Sequence, residues 1–213
     1  MAEPNGTGYP DSGPLTLRRS PLAHLEERMR AASLSGARGV SLSEWPFITM
    51  VNLRVAVGSA GADRLEKALD APLPRRCGST SAAGPHTVLW LGPDEWLVLS
   101  HTDGTELTAR LRTALEGSPG SVVDVSANRT TLELRGPSAR DVLDKGCPLD
   151  LHPRAFGPGQ ALATNVGPVP LLLWQVDGFP TYRLLPRVSF ADYLARWLMD
   201  AMSEYHCVLE PRA

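Results

Sequence analysis

The sequence predicts an α+β protein: two similar strand–helix–strand units, whose mostly antiparallel sheets are covered by helices. Three observations point there. Short β-rich runs bounded by Gly and Pro alternate with amphipathic helical stretches. Consecutive runs are joined by tight turns, which makes hairpins rather than parallel crossovers. The order strand, helix, strands, helix occurs twice, over about 47–126 and 130–205, with negligible identity between the halves. The expected organisation is a disordered or partner-draped tail over 1–19, a first unit over 20–126, a second over 127–206, and a tail over 207–213.

Residues 1–19 are rich in Gly, Pro, Ser and Thr and have no periodicity. Ser20 and Pro21 are suited to open a short helix, with Glu26 and Glu27 early and Arg28 and Arg30 late, ending near Gly36. Phe47 to Val57 reads as a strand that Gly58 and Gly61 break, and Asp63 to Leu69 as a helix with Leu65 and Leu69 on one face. The Pro-rich stretch 72–86 reads as a loop. Thr87 to Leu91 and Trp96 to Ser100 form a hairpin across Gly92-Pro93-Asp94-Glu95, with Pro93 preset for the second turn position. Asp103 and Glu106 are spaced as a capping box for a helix that buries Leu107, Leu111 and Leu115 and stops at Gly117. Val122 to Ser126 is strand-like.

The second unit opens with Thr130 to Arg135, where Leu132 and Leu134 alternate with polar residues. Gly136-Pro137 starts a helix carrying Val142 and Leu143, which ends at Gly146 before Pro148. Ala161 to Val166, Val169 to Val176 and Tyr182 to Leu185 read as strands. Ser189 with Asp192 resembles a capping box for the last helix. On it Phe190, Leu194, Trp197, Leu198, Ala201 and Tyr205 share a face.

Composition excludes several classes. The 21 basic and 23 acidic residues give a net charge of −2, without the basic stripe of a nucleic-acid binder or a polybasic membrane anchor. With 43% apolar and 21% charged residues the chain is that of an ordinary globular protein, and 19 Gly and 19 Pro predict many loops. No apolar run reaches membrane-spanning length, and the first residues have neither the basic nor the apolar segment of a secretory signal. Cys77, Cys147 and Cys207 are too few and scattered for a disulfide framework, which points to a reducing, cytoplasmic setting.

Chemistry-bearing motifs are equally sparse. There is no GxSxG elbow and no Walker loop. Gly58-Ser59-Ala60-Gly61 has the wrong spacing for a dinucleotide fingerprint and reads as a plain strand-to-helix turn. The histidines His24, His86, His101, His152 and His206 stand at no metal-ligand spacing, and surface or loop positions are expected for them. Adjacent Asp94 and Glu95 would point apart in a tight turn, while Asp124 and Asp150 could be buried acids but adjoin turn residues. Arg129, Arg135, Arg140 and Arg154 could form a cationic binding face, although a solvated or interfacial face is the plainer reading. Trp90, Trp96, Trp174 and Trp197 lie in apolar patterns as core or interface anchors. No catalytic, cofactor-binding or metal-ligating residue is therefore assigned.

Several segments resemble the gamma subunit of heterotetrameric sarcosine oxidase. They are Ser20-Pro21-Leu22, Leu91-Gly92-Pro93-Asp94-Glu95-Trp96-Leu97, and Val123-Asp124-Val125-Ser126 followed by Arg129-Thr130. The most specific block runs from Leu134-Arg135-Gly136-Pro137-Ser138-Ala139-Arg140-Asp141-Val142-Leu143 into Lys145-Gly146-Cys147-Pro148-Leu149-Asp150-Leu151-His152-Pro153. Phe156, Tyr182-Arg183-Leu184-Leu185 and Ser189-Phe190-Ala191-Asp192-Tyr193-Leu194 extend it across most of 20–202. More faintly, the layout is similar to the folate-binding region of the glycine-cleavage aminomethyltransferases, which suits the α+β expectation.

The resemblance implies membership in a complex that oxidises sarcosine to glycine. Hydrogen peroxide is released there, and the one-carbon unit leaves as formaldehyde or methylenetetrahydrofolate. It also implies partners, the alpha, beta and delta subunits, that hold FAD, FMN, NAD, zinc and tetrahydrofolate, with no cofactor on this chain. The alternative is a free-standing folate-binding or aminomethyltransferase-like protein.

Overall fold

The structure, a computed structural model, describes residues 18–206. The tails expected over 1–19, up to residue 17, and over 207–213 with Cys207 lie outside the described residues.

The strands are β1 (Ser41–Trp45), β2 (Thr49–Val55), β3 (Thr80–Ala83), β4 (His86–Gly92), β5 (Glu95–Ser100), β6 (Gly120–Asp124), β7 (Thr131–Arg135), β8 (Gln160–Val166), β9 (Val169–Asp177) and β10 (Thr181–Pro186). They make two sheets, ordered β3-β4-β5-β2-β6 and β1-β7-β10-β9-β8, and every pairing is antiparallel. The helices are α1 (Glu26–Ala31), α2 (Ala60–Leu69), α3 (Gly104–Leu115), α4 (Ala139–Asp144) and α5 (Val188–Met202).

Strand parity explains the layering. On β5, Trp96 and Val98 face α2 and α3 with Leu65, Leu69, Leu107 and Leu111, while Leu97 and Leu99 face the other sheet. On β9, Leu171 and Leu173 face α4 and α5, while Leu172 and Trp174 meet Leu97, Leu99 and Met50. The sheets therefore pack face to face with helices outside, and the central strands are buried on both faces. Such strands read as continuous apolar runs rather than alternating ones. Backbone bonds close one side of the sandwich, from Thr80 N–H to Gly159 O (3.1 Å) and from Ala161 N–H to Gly78 O (2.8 Å).

The local signals act where the residues predict. Asp103 Oδ1 accepts from the N–H groups of Thr105 (2.8 Å) and Glu106 (3.0 Å) and starts α3. Ser59 Oγ accepts from Ala62 N–H, so α2 begins at Ala60 and Gly61 lies inside the helix instead of breaking the chain before it.

Other elements differ from expectation. The first helix ends at Ala31 rather than near Gly36, because the chain turns back to bridge Leu34 with Val40. That bridge leads into β1, which the sequence did not announce, because its Ser and Glu residues carry weak strand preference and only Leu42 is buried. β1 pairs with β7, so Leu22, Leu25, Met29 and Leu42 join the core beneath α4 and α5. The stretch 20–45, expected with the first unit, thus packs with the second sheet. β3 lies inside the expected loop, built of small residues that form a strand against the edge of β4. Helix α5 has Arg187 at its N-cap and no side-chain cap, since the chain runs into it straight from β10 and Ser189 is already helical. Its buried face is Ala191, Leu194, Ala195, Leu198, Ala201 and Met202, which turns Phe190 outward.

Candidate functional site

Polar side chains collect at three places. Between the sheets, Arg183 of β10 donates from Nε to Glu133 Oε2 of β7 at 3.2 Å. Its guanidinium lies 3.6 Å from the Trp45 ring centroid and 4.9 Å from that of Trp174. These residues meet because Arg183 stands in register with both Glu133 and Trp174, while Trp45 stands across from Thr131 next along β7. The arginine and glutamate side chains are 15% and 14% exposed, so the pair is held largely away from water. A gap of about 30 Å³ remains beside it, lined by Trp45, His101, Thr131 and Arg183. That is room for about one water and too little for a substrate.

At the rim of the first sheet, Arg110 Nη2 lies 3.0 Å from His86 Nε2, and His86 Nδ1 lies 2.9 Å from Ser100 Oγ. Ser100 Oγ continues to Thr102 Oγ1 at 2.9 Å. A guanidinium can only donate, so Nε2 accepts and Nδ1–H donates to the serine, which defines a neutral imidazole. Burial, and secondarily the Arg110 charge, hold the His86 pKa below the usual range. A serine beside a histidine suggests a nucleophile and its base, yet Ser100 is 1% exposed and nothing can reach it.

At the outer edge of the second sheet, Glu44 of β1 accepts from Thr130 Oγ1 (2.6 Å) and from Ser20 Oγ. The Leu22 N–H also faces it. Burial pushes this carboxyl above the usual range, and the hydrogen bonds oppose that shift. Glu44 thereby ties the start of the described chain to the sheet. Beside it run two cavities, of about 630 and 260 Å³, both lined by Arg18, Arg19 and Phe47.

The residues singled out from the sequence are not brought together. Glu95 is bonded to Asn52 and Arg54, and the Asn52 bond foremost holds its carboxyl low. Asp124 and Asp150 are exposed and cap their own turns, to Ser126 N–H and His152 N–H. Arg129 donates to Leu185 O, Arg140 to the Tyr182 hydroxyl, Arg135 lies over Phe179, and Arg154 is exposed, so the four arginines are engaged separately. His24 pairs with Asp192 and His206 lies against Ala32 O, as surface histidines do. His86 departs from expectation, being buried against Ser100. Trp96 and Trp174 are buried, and Trp90 and Trp197 pack at the core edges. Among the described residues Cys77 and Cys147 are free, and no cluster of three or more His, Cys, Asp or Glu could hold a metal. Nothing local in the sequence marks the Arg183–Glu133–Trp45 contact, because it depends on β1, which only its pairing with β7 defines.

Two five-stranded antiparallel sheets packed face to face with helices outside define a double-sheet α+β sandwich. The glycine cleavage aminomethyltransferase T of Bartonella henselae shares this fold, with a TM-score of 0.61 at 16% identity, over 84% of this chain and 56% of that one. The chain belongs to the sarcosine oxidase gamma subunit family, whose family model matches residues 55–204. It is 48% identical to the sarcosine oxidase subunit gamma of an Arthrobacter species over 191 residues, which cover 89% of this chain and 92% of that protein. The gamma subunit of Corynebacterium sp. strain U-96 is 46% identical over 190 residues, with the same coverage. A chain of the heterotetrameric sarcosine oxidase from Corynebacterium sp. U-96, solved in complex with pyrrole 2-carboxylate, superposes with a TM-score of 0.86. It is 44% identical, over 91% of this chain and 99% of that one. Among the described residues no helix is long and apolar enough to cross a membrane.

Proposed function

We propose that this chain is the gamma subunit of a heterotetrameric sarcosine oxidase and acts by completing and stabilising that complex. The observation that carries this reading is the match over nearly the full length of a chain from such a heterotetramer, at 44% identity. The alternative of a free-standing aminomethyltransferase fits less well, since this chain spans only about half the length of the aminomethyltransferase it superposes on.

The partners in this reading are the alpha, beta and delta subunits, in the cytoplasm. They hold FAD, FMN, NAD, zinc and tetrahydrofolate, and they carry out the oxidative demethylation of sarcosine to glycine. Hydrogen peroxide and formaldehyde or methylenetetrahydrofolate are the other products. This chain contributes binding free energy to the assembled state, which stabilises any partner conformation it selects. Exposed Phe47, Phe179, Phe190 and Tyr193 supply apolar contact area for an obligate interface of about 2,000 Å² or more.

Co-expression with the partner genes tests the proposal. One stable complex that oxidises sarcosine is expected, with this chain inactive alone. Full activity and unchanged stability in a preparation lacking the chain would refute it.

A further inference from the structure

Phe47 is the least comfortable residue in the described chain. It follows Pro46 in the turn between β1 and β2, its φ is +61°, and it is 49% exposed. A bulky aromatic residue at positive φ is strained by about 1–3 kcal/mol, and an exposed ring gains little from burial in return. The ring lines both edge cavities, as Arg18 and Arg19 also do. The Arg18 guanidinium stacks on it, 4.8 Å from the centroid.

The smaller cavity is one-sided in charge. Arg18, Arg19 and Arg129 line it, and among the described residues no carboxylate does. Among the described residues none of these three arginines makes an ion pair. Arg129 is half-buried, its Nη1 donates to Leu185 O at 2.8 Å, and the charged group acting on it is the like charge of Arg187. Half-buried Arg129 with exposed Arg18 and Arg19 around one hollow calls for an anion with several acceptor lone pairs. A carboxylate matches the guanidinium fork, and the apolar wall of Trp45, Ile48 and Met50 suits the stem that would carry it. The larger cavity continues along the outer edge of β1, where it would receive the flanking residues of an extended segment.

We infer that the hollow beneath Phe47 is the socket for an acidic side chain of another subunit of the complex, presented on an extended segment that packs across the Phe47 ring. This rests on the gamma-subunit reading and adds the surface through which the chain would dock. Three arginines with no carboxylate among the described lining residues give the charge complementarity, and the exposed Phe47 ring is the apolar anchor beside them.

The test uses the co-expressed complex. Replacing Phe47 with photoreactive p-benzoyl-phenylalanine preserves the aromatic anchor, and illumination should link it to another subunit, at a peptide containing Asp or Glu. In parallel, Arg19→Glu should weaken assembly about tenfold or more, and Arg19→Lys much less. Arg19 is exposed, so neither change threatens the fold. Linkage confined to this chain, linkage between two copies of it, or wild-type assembly of Arg19→Glu would each overturn the socket. Failure of the unmodified chain to join any complex would overturn the gamma reading itself, and the socket with it.

Discussion

Arg183 and Glu133 face each other across neighbouring strands at 3.2 Å, with the indole of Trp45 stacked 3.6 Å from the guanidinium. The pair sits where the two sheets meet, and the ring comes from the edge strand β1. One contact therefore ties the edge strand β1 through β7 to β10, the central strand of the sheet β1-β7-β10-β9-β8.

Glu133→Leu should destabilise the fold by on the order of 3 kcal/mol, because a largely desolvated guanidinium loses its carboxylate. The double change Glu133→Leu with Arg183→Met should cost less than Glu133→Leu alone. Denaturant melts of the three proteins decide this, and a double mutant worse than Glu133→Leu would contradict it.

Gly136 has φ +129°, and a Cβ built there would lie 2.5 Å from the Gly39 carbonyl oxygen. That oxygen accepts from Ser138 N–H, so the loop before β1 cannot retreat without losing a bond. Gly136→Val should cost about 2 kcal/mol or more. An unchanged melting temperature would show that the backbone there relaxes freely.

His86 gives a pH dependence of known sign. Its folded pKa is lowered, so below about 6.5 the unfolded chain binds the proton more readily than the folded one. Stability should fall as the pH drops from about 6.5 toward the folded value. Glu44, with its raised pKa, acts in the opposite sense nearer the carboxyl range. His86→Gln should flatten the slope just below pH 6.5, measured by urea midpoints at closely spaced pH values.

Glu44→Ala removes the acceptor shared by Ser20 and Thr130. Hydrogen exchange over residues 20–31 should accelerate while the strands of the first sheet keep their protection. Acceleration spread evenly over both sheets would mean that Glu44 supports the whole fold rather than one segment.

Asp103→Ala should cost about 1 kcal/mol, through two orphaned N–H groups at the start of α3. Asp103→Asn should recover most of the loss in the same thermal melt.

By itself the sequence determined the α+β class, the Gly92–Glu95 hairpin, the Asp103 cap, the Gly136 junction and the run of strands β8 to β10. Each is encoded within a few residues, by a turn chemistry or an apolar period that acts before any distant contact forms. It also determined the family, through the block from Leu134 to Pro153. Tertiary structure alone decided where β1 belongs, because a short strand of Ser and Glu is a strand only against β7. That pairing carries Trp45 to Arg183, Glu44 to Thr130 and Phe47 to the rim of the cationic hollow. The same holds for His86, whose burial depends on Ser100 across the hairpin and Arg110 on the helix above. Contacts between residues far apart in the chain leave no local period or spacing to read, since the free energy that forms them exists only once both sheets are in place.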